Sequence, residues 1–132
     1  MTPVFQIALS GLNAQSTRVS VAASNIANAR SVGVNPDPGA DNSAAFTPQR
    51  VQQISAADGG VQTNTLPVSP PSLPVFDPSN PDADGEDVAF LPNVSLEAEF
   101  VEVLQASAAF EANLKVIQTQ EELLGTLVDI AS

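Results

Sequence analysis

The residues of this chain best suited to chemistry lie in one short stretch, Asn80-Pro81-Asp82-Ala83-Asp84-Gly85. Amide and carboxylate oxygens at alternate positions, followed by glycine, resemble the opening of a calcium-binding helix-loop-helix loop, where hard oxygen donors surround a hard cation. The match then stops. The position that should supply a bidentate carboxylate is Leu91, and no helical pattern precedes the stretch. A solvated acidic turn is the plainer reading, and no metal site is assigned. Covalent and acid–base chemistry have less to draw on. The chain lacks Cys and His and Lys115 is its only lysine, so no nucleophile stands beside a base. Paired-carboxylate catalysis needs a walled pocket to move a pKa, whereas these acids fall in a proline-rich turn or along a helix. No glycine-rich phosphate loop is present. The expectation is a non-enzyme with no catalytic, cofactor or metal residues and no small-molecule substrate.

What the sequence supplies instead is apolar helix surface. Two helical ends, residues 5–29 and 95–130, flank a middle that holds all but one of the 11 prolines. Proline lacks the helical N–H and clashes with the preceding turn, so the middle cannot continue either helix. The fold class expected is mainly α. Long N- and C-terminal helices form a coiled-coil-like pair, joined by a Pro-rich loop with a small antiparallel β element. Segments 1–30, 31–92 and 93–132 make one structural unit, and at 132 residues its own core must be thin. With 4 basic against 15 acidic residues, neither nucleic acid nor an anionic membrane is the expected partner. No apolar run approaches the ~18–20 residues of a membrane span. The opening Met-Thr-Pro-Val-Phe-Gln lacks the basic and apolar regions of a cleavable secretory signal. That pattern suits a cytoplasmic protein, or one exported by a route that reads another feature.

In the first helix Phe5, Leu9, Leu12, Val19, Ala23 and Ile26 recur at helical spacing, with Ser16 the polar member of the row. Pro3 sits near the first turn, where a missing N–H costs least. Asn25 and Asn28, then Ser31 and Gly33, favour local backbone bonding and are expected to end the helix near Ala29. In the second helix Ser95 is the expected N-cap, with Glu97 and Glu99 in the first turn. One stripe there runs through Leu96, Phe100, Val103, Phe110, Leu114, Ile117 and Leu124. Another, displaced by about 100°, runs through Val101, Leu104, Val116, Leu123 and Leu127. One stripe would serve a helix pair; two need two neighbours. The first helix of the same chain is the expected first neighbour. At 1.5 Å per residue the two helices span ~37 Å and ~52 Å, leaving two to three turns of the longer one uncovered. These apolar residues, with Phe5, Leu9, Leu12, Val19 and Ile26, are the candidate assembly interface.

Between the helices, residues 31–45 read as a mobile loop. Phe46, Val51 and Ile54 mark a weak strand, Gly59-Gly60 a turn, and residues 61–66 an alternating strand. Val75-Phe76 and Val88-Ala89-Phe90-Leu91 are short apolar pieces able to pair.

Two motifs carry a resemblance. Ser10-Gly11-Leu12-Asn13-Ala14-Gln15 with Val21-Ala22-Ala23-Ser24-Asn25-Ile26-Ala27-Asn28-Ala29 resembles the N-terminal signature of bacterial flagellar rod and hook proteins. Asn93-Val94-Ser95-Leu96-Glu97 and Ala109-Phe110-Glu111-Ala112-Asn113 resemble the C-terminal helix of the same family. The stretch from Val75 through Asp84, and Leu91-Pro92-Asn93-Val94, are most similar to its proximal rod members. The resemblance implies a structural subunit of the basal-body rod, exported through the flagellar secretion channel without cleavage and assembled helically in the periplasm. Its partners would be other rod subunits and the membrane-embedded ring and export apparatus. A divergent rod-like paralogue, a cytoplasmic helical adaptor and a calcium-responsive domain are the competing readings. Seven acids against Lys115 in residues 95–132 further suggest partners that turn Arg or Lys toward Glu97, Glu99 and Glu102.

Overall fold

The computed structural model describes residues 3–33, 45–57, 59–83 and 85–131. Its order is α1 (Pro3–Asn28), β1 (Gln49–Ser55), β2 (Val61–Pro67), β3 (Ser72–Phe76), β4 (Val88–Pro92) and α2 (Leu96–Ala131). Most of the loop expected over 31–45 lies outside the described residues.

The ends of both helices follow from local chemistry. Asn28 donates its side-chain amide to the Ser24 carbonyl at 2.9 Å. Ser31 returns both its backbone N–H and its hydroxyl to the Asn28 carbonyl, at 3.0 and 2.7 Å, which closes α1. At the start of α2 the Ser95 hydroxyl accepts the Ala98 N–H at 3.4 Å, and Glu97 and Glu99 place negative charge where the helix dipole favours it.

The two helices lie antiparallel and side by side. Asn25 meets Glu99, Arg18 meets Glu102, Gly11 faces Asn113, and Val4 lies beside Thr119 and Leu123. Since α1 has 26 residues and α2 has 36, the longer helix outruns the shorter at its C-terminal end. From 121 to 130 every residue is exposed.

The middle is more ordered in pairing than a proline-rich loop would be. Two separate two-stranded antiparallel sheets replace the one small β element expected. In the first, Gln49 pairs with Pro67 and Ser55 with Val61. Its turn uses Gly59 and Gly60 at φ 87° and 90°, where only glycine sits without strain. In the second, Ser72 pairs with Pro92 and Phe76 with Val88. Pro74 is tolerated because its partner Phe90 directs both its N–H and its carbonyl at Gly33 instead, each at 3.1 Å. The β1–β2 hairpin packs along α1, through contacts with both strands.

The acidic turn after β3 is closed by its own backbone. Asp77 Oδ1 accepts from the Ser79 hydroxyl and N–H at 2.7 and 3.2 Å, and Asn80 Oδ1 accepts the Asp82 N–H at 3.0 Å. These bonds hold the half-buried Asp77 carboxyl below its ordinary pKa, the Ser79 hydroxyl foremost. Asp84 lies outside the described residues. Among the described ones no group of three carboxylates is placed to hold a metal ion.

Candidate functional site

The face of α1 that meets α2 is built from small residues. Ala8, Gly11, Gln15, Ala22 and Asn25 recur at helical spacing and are buried. Ala106 on α2 has no exposed surface at all. A Cβ on residue 11 would lie 2.8 Å from the Asn113 side-chain nitrogen, so the absence of a side chain there sets how closely the helices approach. The apolar row of Phe5, Leu9, Leu12, Val19 and Ile26 is rotated by about 100° from the face that contacts α2. Periodicity of bulky residues marks apolar surface; close approach of two backbones selects small ones.

At the end of the seam nearest the sheets, polar groups converge. Asn25, 1 % exposed, donates its side-chain amide to the Gln49 carbonyl at 2.7 Å and to Glu99 Oε1 at 2.9 Å. Its own carbonyl oxygen accepts the Gln49 N–H at 3.0 Å. One side chain thus joins α1, β1 and α2. Asn25 was expected to help terminate α1 by local bonding; that role falls to Asn28, while Asn25 spends its groups on other elements. Arg18 grips Glu102 with two N–H groups, the Nη2 contact at 2.8 Å, and gives Nη1 to Gln15 Oε1 at 2.8 Å. No buried side-chain nitrogen or oxygen among the described residues lacks a partner.

Electrostatics follow the geometry. The Arg18 guanidinium holds the Glu102 carboxyl below the ordinary range, and the same pairing raises Arg18 further. Glu99 goes the other way. Burial pushes its pKa up, the Asn25 hydrogen bond opposes the rise, and Glu102 adds to it. Of the three acids expected to face cations of a partner, Glu102 is already paired with a cation of its own chain. Glu102 has Arg18, Glu99 has only the neutral amide of Asn25, and Glu97 remains exposed. Beside these groups a cleft of about 260 Å³ is lined by Val21, Gln49, Arg50 and Val51 as well as by the paired charges. It holds no base beside a nucleophile.

The hairpin is fastened to α1 at a second point. The Ser10 hydroxyl accepts the Val61 N–H at 3.1 Å while donating to the Ile7 carbonyl at 2.7 Å. Gly60 lies against Ser10 so closely that any side chain there would strike it. The Ser10-Gly11 pair thus makes two contacts at once, one toward the hairpin and one toward α2.

The expected interface residues divide by exposure. Phe5, Leu12, Val19, Ile26, Leu96, Val103 and Ile117 are half-buried. Leu9, Phe100, Val101, Leu104, Phe110, Leu114, Val116, Leu123, Leu124 and Leu127 are exposed, Leu104 at 70 % and Leu127 at 62 %. The exposed set is left unshielded by the chain's own described residues. Sequence reading marked Ala106 as a site of close helix approach and named Asn25 and Glu102, but did not pair Arg18 with Glu102, Asn25 with Glu99 or Gly11 with Asn113. The small-residue row Ala8–Gly11–Ala22 was the available signal.

Comparison with known proteins agrees at both ends. Residues 5–33 match the flagella basal body rod protein family, and residues 91–130 match the C-terminal family of flagellar basal body rod FlgEFG proteins. The flagellar basal-body rod protein FlgC of Escherichia coli O6:H1 is 37 % identical over 126 residues, covering 92 % of this chain and 90 % of that protein. FlgC of Yersinia enterocolitica is 38 % identical over 122 residues, with the same coverage. FlgC of Agrobacterium fabrum is 34 % identical over 132 residues, covering 95 % of this chain and 91 % of its own.

Proposed function

The chain belongs to the FlgC family of flagellar basal-body rod proteins and is a structural subunit of the proximal rod, and we propose that it is built into the rod through its two terminal helices. In that position it helps form the driveshaft between the membrane ring and the distal rod and hook. The observation that supports this most is the apolar surface left bare on α2. The accessible surface is 8680 Å², against about 6,600 Å² for a compact monomer of this mass. Part of the difference lies on Leu104, Leu123, Leu127, Val128 and Ile130, all more than half exposed. Exposed apolar area of this kind marks a surface completed by other molecules.

The partners proposed are other rod subunits, the membrane-embedded ring and the export apparatus. Export through the flagellar secretion channel without a cleaved signal, and assembly in the periplasm, complete the reading. Among the described residues no helix is long and apolar enough to cross a membrane. The role proposed is structural, with no catalytic step and no cofactor.

The deciding experiment is purification of basal bodies from cells expressing a tagged copy of the chain. The tagged copy should co-purify with the rod and remain after the outer parts are stripped. Its absence from intact basal bodies would show the reading to be wrong. Circular dichroism of the isolated protein separates the same reading from a helical adaptor. A rod subunit gains helix as concentration rises, whereas an adaptor has its full helix content when dilute.

A further inference from the structure

Where α1, β1 and α2 meet, one carboxylate has no cation. Four charged residues line the cleft of about 260 Å³ there: Arg18, Arg50, Glu99 and Glu102. Two of them are spent on each other, since Arg18 grips Glu102 through two N–H groups. Glu99 and Arg50 are left over. Glu99 accepts the neutral Asn25 amide at Oε1, and its Oε2 takes no hydrogen bond from the described residues. Arg50 is exposed and pairs with no acid among the described residues.

The two left-over charges are not equivalent. An exposed guanidinium keeps its water, so leaving it unpaired costs little. A half-buried carboxylate has lost part of its water, and only an opposite charge or further hydrogen bonds offset that loss. Nor is Glu99 loose: Asn25, itself 1 % exposed and bonded to the Gln49 carbonyl, holds its Oε1 in place. Burial and the neighbouring Glu102 both push its pKa up, as expected of a carboxylate that no cation faces. Val21, Ala22, Val51 and Ala98 give the cleft an apolar wall. A long basic side chain matches this lining, with its methylene stem on the wall and its charge at the carboxylate.

We infer that this cleft receives an arginine or lysine side chain from a different protein, with Glu99 as its counter-ion. This deepens the rod-subunit reading and rests on it for the partner's place, a neighbour in the basal body that presents a basic segment. A second copy of this chain is a poor donor, because it brings 15 acids with 4 cations. Of those cations, Arg18 is bound to Glu102, and Arg50, the one cation of the β1–β2 hairpin, lines this same cleft. Strands β3 and β4 have none, and Lys115 stands at the far end of the helix pair, beside Val4. Arg30 remains, exposed just past α1. One cation offsets little of a net charge of -11 on each copy.

The first test titrates the full chain with N-acetyl-arginine amide, and with N-acetyl-citrulline amide as its uncharged isostere, at matched ionic strength. NMR follows the Asn25 side-chain amide and the Glu99 carboxyl. The arginine compound should shift the Asn25 amide saturably and lower the Glu99 pKa, while the citrulline compound does neither. Glu99→Gln should abolish the shift. Arg50→Gln should keep or strengthen it, because a like charge leaves the rim. No response to the arginine compound, equal responses to both, or a response that survives Glu99→Gln overturns the inference. So does a response lost with Arg50→Gln, which would mark a site for anions, or a Glu99 shift when the parent alone is concentrated, which would name a second copy.

The second test expresses parent and Glu99→Gln, under different tags, in the same cells. The variant keeps the Asn25 bond through its amide oxygen and should be no less stable than the parent in urea at neutral pH. Its ratio to the parent in purified basal bodies should nonetheless fall at least about tenfold below the ratio in the cells. A variant that unfolds more easily would make Glu99 a structural group and overturn the inference. If the parent is absent from basal bodies, the rod reading has failed, and the titration still decides the cleft. If parent and variant keep their cellular ratio there, only the cleft inference has failed.

Discussion

The two ends of α2 sit in different surroundings. Near its start, Glu99 and Glu102 are held by Asn25 and Arg18, and Ala106 is sealed against α1. Near its finish, Leu123, Leu124, Leu127, Val128 and Ile130 meet none of that cover. At the first end one face is closed by polar groups while Phe100, Val101 and Leu104 on its other side stay exposed; at the second end both faces are bare. Polar groups can be enclosed where every donor and acceptor is matched. Apolar groups remain outside only where something else is to cover them. The first end therefore carries the stability of the protomer, and the second is the surface proposed above for association.

The largest expected effect lies at the closed end. Asn25→Leu leaves the Gln49 N–H and carbonyl and the Glu99 carboxylate without their partner, and should cost about 3 kcal/mol. Urea unfolding followed by circular dichroism measures it; a loss within experimental error would show that the node does not hold the fold. Next comes Gly11→Leu, which forces a side chain into the space of Asn113 and should cost about 2 kcal/mol by the same assay. Wild-type stability in that variant would mean that the helices can separate freely.

Arg18→Met should cost about 1 kcal/mol at neutral pH, since the pair is only partly shielded from solvent. Its pH dependence is more informative than its size. Glu102 has a lowered folded pKa, so its contribution is present above the unfolded value, near 4.3, and is lost as pH falls through the lowered one. Glu99 has a raised folded pKa, so its contribution is present below the unfolded value and is lost as pH rises through the raised one. Removing Arg18 should flatten the decline of stability in acid. Glu99→Gln should steepen it, because the opposing gain is gone. Unfolding midpoints from pH 7 to pH 3 check both signs, and equal slopes in the three proteins would refute the assignment.

The smallest effect belongs to the bare end. Leu127→Ser should change the stability of the dilute protomer by less than about 0.5 kcal/mol. A larger loss would mean that residues 121–130 are covered by their own chain after all.

The sequence made some of this division legible. Two helices, their lengths, Ser95 as N-cap, the Gly59-Gly60 turn and the unequal reach of α2 all follow from local rules, because each depends on neighbours in the chain. The face that α1 turns toward α2 did not follow. Bulky residues dominate a periodicity, whereas Ala8, Gly11 and Ala22 matter by letting the backbones close together, which apolar counts do not register. Asn25 was misplaced for a related reason. An asparagine near a helix end has a local use and a long-range one, and only the position of Gln49 and Glu99 in space decides between them. Pairing of β3 with β4 was half visible: the apolar pieces could be found, but not the way Gly33 relieves Pro74 of a bond it cannot make.

The Asn25 side chain also bears on timing. Its partners stand 24 and 74 positions further along the chain, and the Arg18 clasp spans 84. Closing loops of that size carries an entropic penalty before any contact is rewarded, and distant contacts slow folding. A chain emerging from its amino end could twist α1 early, yet it could not lock the knot until position 99 had arrived. Amide hydrogen exchange should reflect this. The protons of β1 and of the first turn of α2 should open together as one cooperative unit, while those beyond residue 121 exchange long before them.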